Sequence, residues 1–308
     1  MYGQYSVRYF CSLFGMSRQA WYDQKDRQAE QQLCDTLILK LVAEIRQELP
    51  RVGTRKLCYL LKHRLVPHRI TIGRDKLYEL LGHHGYLLRY RRRKVYTTDS
   101  NHPYRKYPNL IRELLLTKAS QLWVSDITYI RIHQGFGYLS IITDAYSRKI
   151  VGYCLHPTLS SEGAIHSLRM ALQQLTTKQN LIHHSDRGIQ YCCADYVQLL
   201  ALNQIRISMT EKGDPYENAL AERVNGILKN EFDLHKTFGS FTEAQQGVEQ
   251  AICKYNHIRP HGSCDYLTPV MAHEQNGFFR KRWKTPAVDM LITEIDQSST
   301  HSTAMLST

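Results

Sequence analysis

Residues 121–155 constrain the fold more tightly than any other part of the chain. Segments 121–132 and 137–144 are rich in Ile, Val, Thr and Tyr, and Gly135 lies between them. That pattern predicts a β-hairpin, and 149–155 continues it as a third strand. The periodicity then changes. Ser161 begins a helical pattern through Leu175, with Ser161 and Glu162 suited to its first turn. A short apolar strand is expected at 181–184, a helix at 193–203 and a strand at 205–209. Helices follow at 216–232 and 242–256. The order β-β-β-α-β-α-β-α-α predicts an α/β domain with a mixed sheet and flanking helices.

Everything before this domain reads as helical. Residues 6–22 form a helix, a turn at Gly15 and a second helix capped by Ser17. Leu33, Leu37, Leu41 and Ile45 recur at four-residue spacing, so 30–49 is expected to be a connecting helix that Pro50 ends. A further pair follows. One helix runs from Thr54 to about Arg64, and another is capped by Thr71 and closed by Gly82. The basic run Arg89, Arg91, Arg92, Arg93, Lys94 comes next.

Charge singles out the same region. The 308 residues carry a formal net charge of +12. Residues 51–94 alone hold thirteen Lys/Arg against Asp75 and Glu79, a net of +11. A concentrated cationic segment on helices suits a polyanion, and double-stranded DNA is the expected partner. Residues 1–94 are therefore read as an all-α, helix-turn-helix-like DNA-binding region, with Arg89, Arg91, Arg92, Arg93 and Lys94 among its contacts. Polar residues 95–110, with Pro103 and Pro108, are read as a linker. Residues 111–280 are the core and 281–308 a tail. Seven Ser/Thr in the last twelve residues suggest disorder there.

Three acids stand in dense local words. Asp126 lies in Trp-Val-Ser-Asp-Ile-Thr-Tyr (123–129). Asp186 lies in His-His-Ser-Asp-Arg-Gly-Ile-Gln-Tyr (183–191). Glu222 lies in Asn-Ala-Leu-Ala-Glu-Arg-Val-Asn (218–225). An acid inside an otherwise apolar strand is costly unless something compensates it. Taken singly, each has a plain explanation: an exposed strand face, a turn aspartate, a solvated helix carboxylate. Three converging carboxylates can instead hold two divalent metals for in-line phosphoryl displacement. Lys229 is seven residues beyond Glu222, on the same helix face, where it can meet a phosphate. Asn218 and Asn225 flank Glu222 on that side, and Asn225 is taken as a further DNA contact. Hard Mg²⁺ prefers oxygen ligands, so His183 and His184 are read as supporting residues.

These words, with 213–229 and Tyr255-Asn256-His257-Ile258-Arg259-Pro260-His261, resemble the retroviral-integrase-like transposases of the third insertion-sequence family. The resemblance spans roughly residues 40–272. It implies a ribonuclease-H-like core, with Asp126, Asp186 and Glu222 as catalytic residues and metal ligands. It implies Mg²⁺ or Mn²⁺, two per site, as cofactor, and Lys229 as a DNA contact near the metals. The implied reaction is DNA strand cleavage followed by strand transfer. A homo-oligomer on DNA is the expected assembly. The family also implies a helix-turn-helix partner from an upstream reading frame. Arg259-Pro260-His261 has no physical role legible in the sequence.

Eight cysteines lack any Cys-x-x-Cys pair, so neither a disulfide framework nor a zinc module is expected. No apolar run suggests a signal peptide or membrane span. A cytoplasmic, nucleoid-associated protein of a cell without a nucleus is the corresponding expectation. Two other readings stay open: a DNA-binding regulator with the same fold and little chemistry, and a ribonuclease-H-like nuclease of another substrate class.

Overall fold

A computed structural model describes residues 6–88, 103–175, 180–211 and 218–280. The basic run Arg89, Arg91, Arg92, Arg93 and Lys94 lies outside the described residues, as do loop 213–215 and tail 281–308.

Helix α1 (Val7–Leu13) turns at Gly15, whose φ is +65°, into α2 (Arg18–Glu48). Ser17 caps α2 by accepting from the Ala20 amide at 3.0 Å. The expected two helices over 17–49 are one continuous helix of 31 residues. Nothing between 22 and 30 breaks it, because no Gly or Pro interrupts that stretch. α3 (Thr54–Leu65) and α4 (Arg74–His83) complete the region. Thr71 does not cap α4; Gly73 occupies that position, and the turn after the helix falls at Gly85, with φ +70°, rather than at Gly82. Ile38, Val42, Leu57, Leu61, Leu65, Leu77 and Leu81 bury one small core between these helices. Each such side chain contributes about 1.5–3 kcal/mol.

The α/β domain has a sheet in the order β3-β2-β1-β4-β5. β1 (Leu122–Ile132), β2 (Gly135–Asp144) and β3 (Ile150–His156) are antiparallel neighbours. β4 (Ile182–Ser185) pairs parallel with β1, and β5 (Arg206–Met209) pairs parallel with β4. The strands form the mixed sheet of a ribonuclease-H-like core. A two-residue β6 (Thr237–Phe238) also joins β1, a pairing too short to leave a sequence signal.

Helices cover both faces. α5 (Ser161–Gln173), α6 (Ile189–Cys192) and α7 (Ala194–Leu202) enclose one core around Trp123, Ile142, Leu168 and Tyr196. α5 begins at Ser161 as expected, with Ser160 as its N-cap, and Cys193 divides the expected 193–203 helix from the short α6. α8 (Ala219–Glu231) and α9 (Phe241–His257) enclose the other core around Ile130, Leu139, Ile141 and Tyr255. Ile141 and Ile142 point to opposite cores, as pleating requires. α5 sits so close to β3 that a Cβ on Gly152 would meet the Ser167 carbonyl oxygen at 2.1 Å. α10 (Pro269–His273) closes the described chain.

Candidate active site

The register of β1 and β4 sets two of the three acids. Leu122 pairs with Ile182, Trp123 with His183 and Val124 with His184, a constant offset of sixty residues. The same offset carried two residues further brings Asp126 beside Asp186, where β4 has just ended. Adjacent strands lie about 4.8 Å apart, so the two carboxylates are close neighbours. Asp186 Oδ1 accepts from the Gly188 amide at 3.0 Å, a tight turn that fixes its side chain.

α8 delivers the rest. Asn218, just before it, donates from Nδ2 to the Ser125 carbonyl at 3.1 Å. Asn225 donates from Nδ2 to Asp126 Oδ2 at 2.7 Å, and the Ile127 amide donates to Oδ1 at 2.9 Å. Asn225, taken from the sequence as a DNA contact, is thus only 6% exposed and turned toward Asp126. Its own Oδ1 is buried without a partner. Glu222 is exposed in the first turn of α8, and Lys229 is half-buried two turns on.

Burial pushes the Asp126 carboxyl up to about 7, with the Asp186 charge adding to it; hydrogen bonds from Asn225 and Ile127 oppose the shift, and Glu222 adds a smaller push. Among the described residues, no group of three or more His, Cys, Asp or Glu side chains is gathered tightly enough to hold a metal ion. The donor set nevertheless suits a hard divalent ion: carboxylate oxygens, an uncompensated Asp126 and an orphaned amide oxygen beside it.

Lys229 senses the same centre. Burial lowers its pKa, the Asp126 charge raises it, and Arg131 lowers it further. Arg131 is exposed on β1 and passed unnoticed in the sequence, where it reads as an ordinary strand residue. His183 is fully buried, and its Nε2 lies 2.7 Å from Ser125 Oγ and 2.8 Å from Tyr196 OH. Burial, with His184 alongside, drops its pKa to about 3, so the ring is neutral. His184 Nδ1 meets Ser208 Oγ at 2.8 Å. Both rings brace β4 beneath Asp186.

Two family models, both described as Integrase core domain, match residues 117–215 and 203–269. The Insertion element IS600 uncharacterized 31 kDa protein of Shigella sonnei is 34% identical over 86% of this chain and 97% of its own length. The Transposase InsF for insertion sequence IS3A of Escherichia coli (strain K12) is 30% identical over 89% of this chain and 96% of its own length. The chain belongs to the IS3 transposase family. Similar solved structures include an intasome of simian T-cell lymphotropic virus in complex with PP2A regulatory subunit B56 gamma, at 20% identity and TM-score 0.45. It aligns over 77% of this chain and 76% of that chain. The HTLV-2 integrase catalytic core domain in complex with magnesium aligns over 51% of this chain and 98% of that chain, at 17% identity and TM-score 0.42. This IS3-family chain has eight cysteines, all free thiols. Among its described residues no helix is long and apolar enough to cross a membrane.

Proposed function

We propose that this chain is the transposase of an insertion sequence, a polynucleotidyl transferase acting through Asp126, Asp186 and Glu222. One observation supports the catalytic assignment: the β1–β4 register runs Asp126 alongside Asp186, and α8, which carries Glu222 and Lys229, is bonded to Asp126 through Asn225. The three carboxylates would hold Mg²⁺ or Mn²⁺, two ions per site. Bound there, divalent ions neutralise the scissile phosphate and activate the attacking oxygen.

The protein side chains do the rest. Asn225 and the Ile127 amide aim the Asp126 carboxylate. Lys229, with Arg131 nearby, draws a DNA phosphate to the acids without using up a carboxylate. Water cuts the phosphodiester at the element end and leaves a 3′-hydroxyl. That hydroxyl then attacks a second phosphodiester and expels a new 3′-oxygen. One phosphoester replaces another, so no covalent enzyme intermediate is needed. Residues 1–94 form the DNA-binding region and 111–280 the catalytic domain in this reading. Arg89, Arg91, Arg92, Arg93 and Lys94 are assigned to the phosphate backbone. A homo-oligomer holds the two element ends, and the upstream-frame helix-turn-helix protein is a second partner.

The test is strand cleavage and strand transfer on labelled element-end DNA with Mg²⁺. Asp126→Asn, Asp186→Asn and Glu222→Gln are each expected to lower turnover by at least about 10³-fold while DNA binding persists. A variant that still cleaves at near wild-type rate would remove that residue from the assignment. Binding should weaken steeply between roughly 50 and 200 mM salt, and a chain beginning at Pro108 should lose most of that dependence.

A further inference from the structure

We infer that Lys56, Glu231, Arg259 and His261 form a latch that positions α8, and with it Glu222 and Lys229, against the helical region. The inference rests on the proposed transposase reading and adds residues remote from the reacting groups.

Glu231 is the last residue of α8 and is 9% exposed. Arg259 is 3% exposed and grips it with two parallel bonds. Nη2 donates to Oε1 at 2.7 Å, and Nε donates to Oε2 at 2.9 Å. This planar fork allows one orientation of the carboxylate. Nη1 of the same guanidinium donates to His261 Nε2 at 2.8 Å, which leaves the ring hydrogen on Nδ1. The His261 ring stands edge-on to Tyr255, centroids 4.9 Å apart, in the core beneath α8. Lys56 comes from α3, 175 residues earlier in sequence, and its Nζ donates to Glu231 Oε1 at 3.0 Å. The otherwise unexplained Arg-Pro-His word thus ends at a glutamate on the helix that carries Glu222 and at a lysine of the basic region.

The surroundings show that this is a docking point rather than an isolated pair. Glu48 of α2 meets Lys254 of α9 at 3.0 Å. Tyr59 of α3 stacks on Tyr266, centroids 4.9 Å apart. Phe232, next to Glu231, packs against both the helical core and the α8–α9 core. α8 is therefore held at Asn218 and Asn225 by β1, and at Glu231 by α3 and the segment after α9. Of these three holds only the last reaches the helical region.

Lever geometry gives the latch its consequence. Nine residues separate Glu222 from Glu231, about 13.5 Å of helix. With Asn225 as the pivot, a tilt of ~10° on release of the latch moves Lys229 by ~1 Å and turns Glu222 with it, enough to disturb a catalytic arrangement. Binding of DNA to the basic helices is then felt at Glu222 through α3 and Lys56. Two cations on one buried carboxylate are a poor way to add stability, since apolar side chains of similar volume would serve as well. Their directional bonds instead select a single pose.

Lys56 is the place to cut, because its loss leaves Glu231 paired with Arg259 and the fold intact. Amide hydrogen exchange and strand transfer would be measured on the full-length chain, on Lys56→Met and on Lys56→Arg. In Lys56→Met, exchange over 219–231 should rise about tenfold while α5 stays protected. Strand-transfer turnover at saturating element-end DNA should fall about tenfold. Lys56→Arg should restore both. Unchanged exchange in α8 overturns the latch, and so does faster exchange with undiminished turnover. Uniform loss of protection across the chain also overturns it, by showing a merely stabilising role. If the wild-type chain is inert on element-end DNA while α8 exchange still responds to Lys56→Met, the latch stands and the transposase reading falls.

Discussion

Asp126 and Glu231 are both largely withdrawn from water, and both meet α8, yet their electrostatics run in opposite directions. Asp126 has two other acids for company and only amide donors bonded to its oxygens, and burial with Asp186 pushes it up to about 7. Burial also pushes the Glu231 carboxyl up, but the Arg259 bonds and charge, with Lys56 added, outweigh it and hold Glu231 below the ordinary carboxylate range. Lys56 shares the cost: burial and Arg259 bring its ammonium down to about 8 despite the attraction of Glu231. Among the described residues, the protein bonds two of its own cations to Glu231 and none to Asp126, which has only Lys229 in its neighbourhood. A carboxylate left short of positive charge inside a fold is a place where a cation from outside is expected.

The strongest way to break this comparison is to remove the cation that Glu231 depends on. Arg259→Met should cost about 3 kcal/mol, because it removes the bidentate partner of a buried carboxylate and leaves Lys56 alone on it. Asp126→Asn should leave the metal-free chain as stable as before or more so, since it removes an uncompensated charge. Urea denaturation of both variants without divalent ions decides the matter; equal losses would erase the distinction.

A second effect concerns pH, and its sign differs between the two acids. A raised native pKa means that the native state holds a proton which the unfolded chain has lost. The Asp126 contribution is therefore greatest below the ordinary carboxylate range and is lost as pH rises toward about 7. Glu231 is depressed, so its contribution is complete above the ordinary glutamate range and is lost as pH falls through its native value. Metal-free wild-type protein should lose about 1–2 kcal/mol between pH 4.5 and 7 from Asp126, after allowance for its partial exposure. Asp126→Asn should flatten that slope and leave the acid limb unchanged. A melting series across pH on both proteins would show whether it does.

The smallest effect belongs to Lys229, which stands between Glu222 and Glu231 along α8. Lys229→Ala should lower strand transfer about tenfold without altering the Mn²⁺ concentration needed for half-maximal rate. Lys229→Arg should keep part of the activity, since the charge survives while the point-like ammonium is lost. Unchanged transfer in the alanine variant would make Lys229 an ordinary surface residue.

Much of the fold could be read from the chain because periodicity and punctuation agree with it. The three antiparallel strands, the strand–helix alternation and the long C-terminal helices were legible in runs of Ile, Val and Thr and in apolar spacing. Element ends were less so. Thr71 looks like a cap and is not one, because caps depend on local geometry that Gly73 adopts instead. The uninterrupted α2 was read as two helices, since its first half lacks the apolar stripe that marks the second. The three acids were visible in their flanking words, whereas Arg131 and the Ser125–His183–Tyr196 contacts carry no local signal.

Sequence alone determined the α/β order and the position of the cationic segment, and it singled out the three candidate acids, because each of these is written within a few residues. Only the tertiary structure decided which acid is left short of positive charge and which is satisfied. It also turned Asn225 inward to Asp126 and gave Arg259 its partner in Glu231, with Lys56 and the Arg259-bonded His261 completing the cluster. Those outcomes depend on groups 28 to 175 residues apart meeting in a medium where charge is costly to bury, and no local pattern encodes such a meeting.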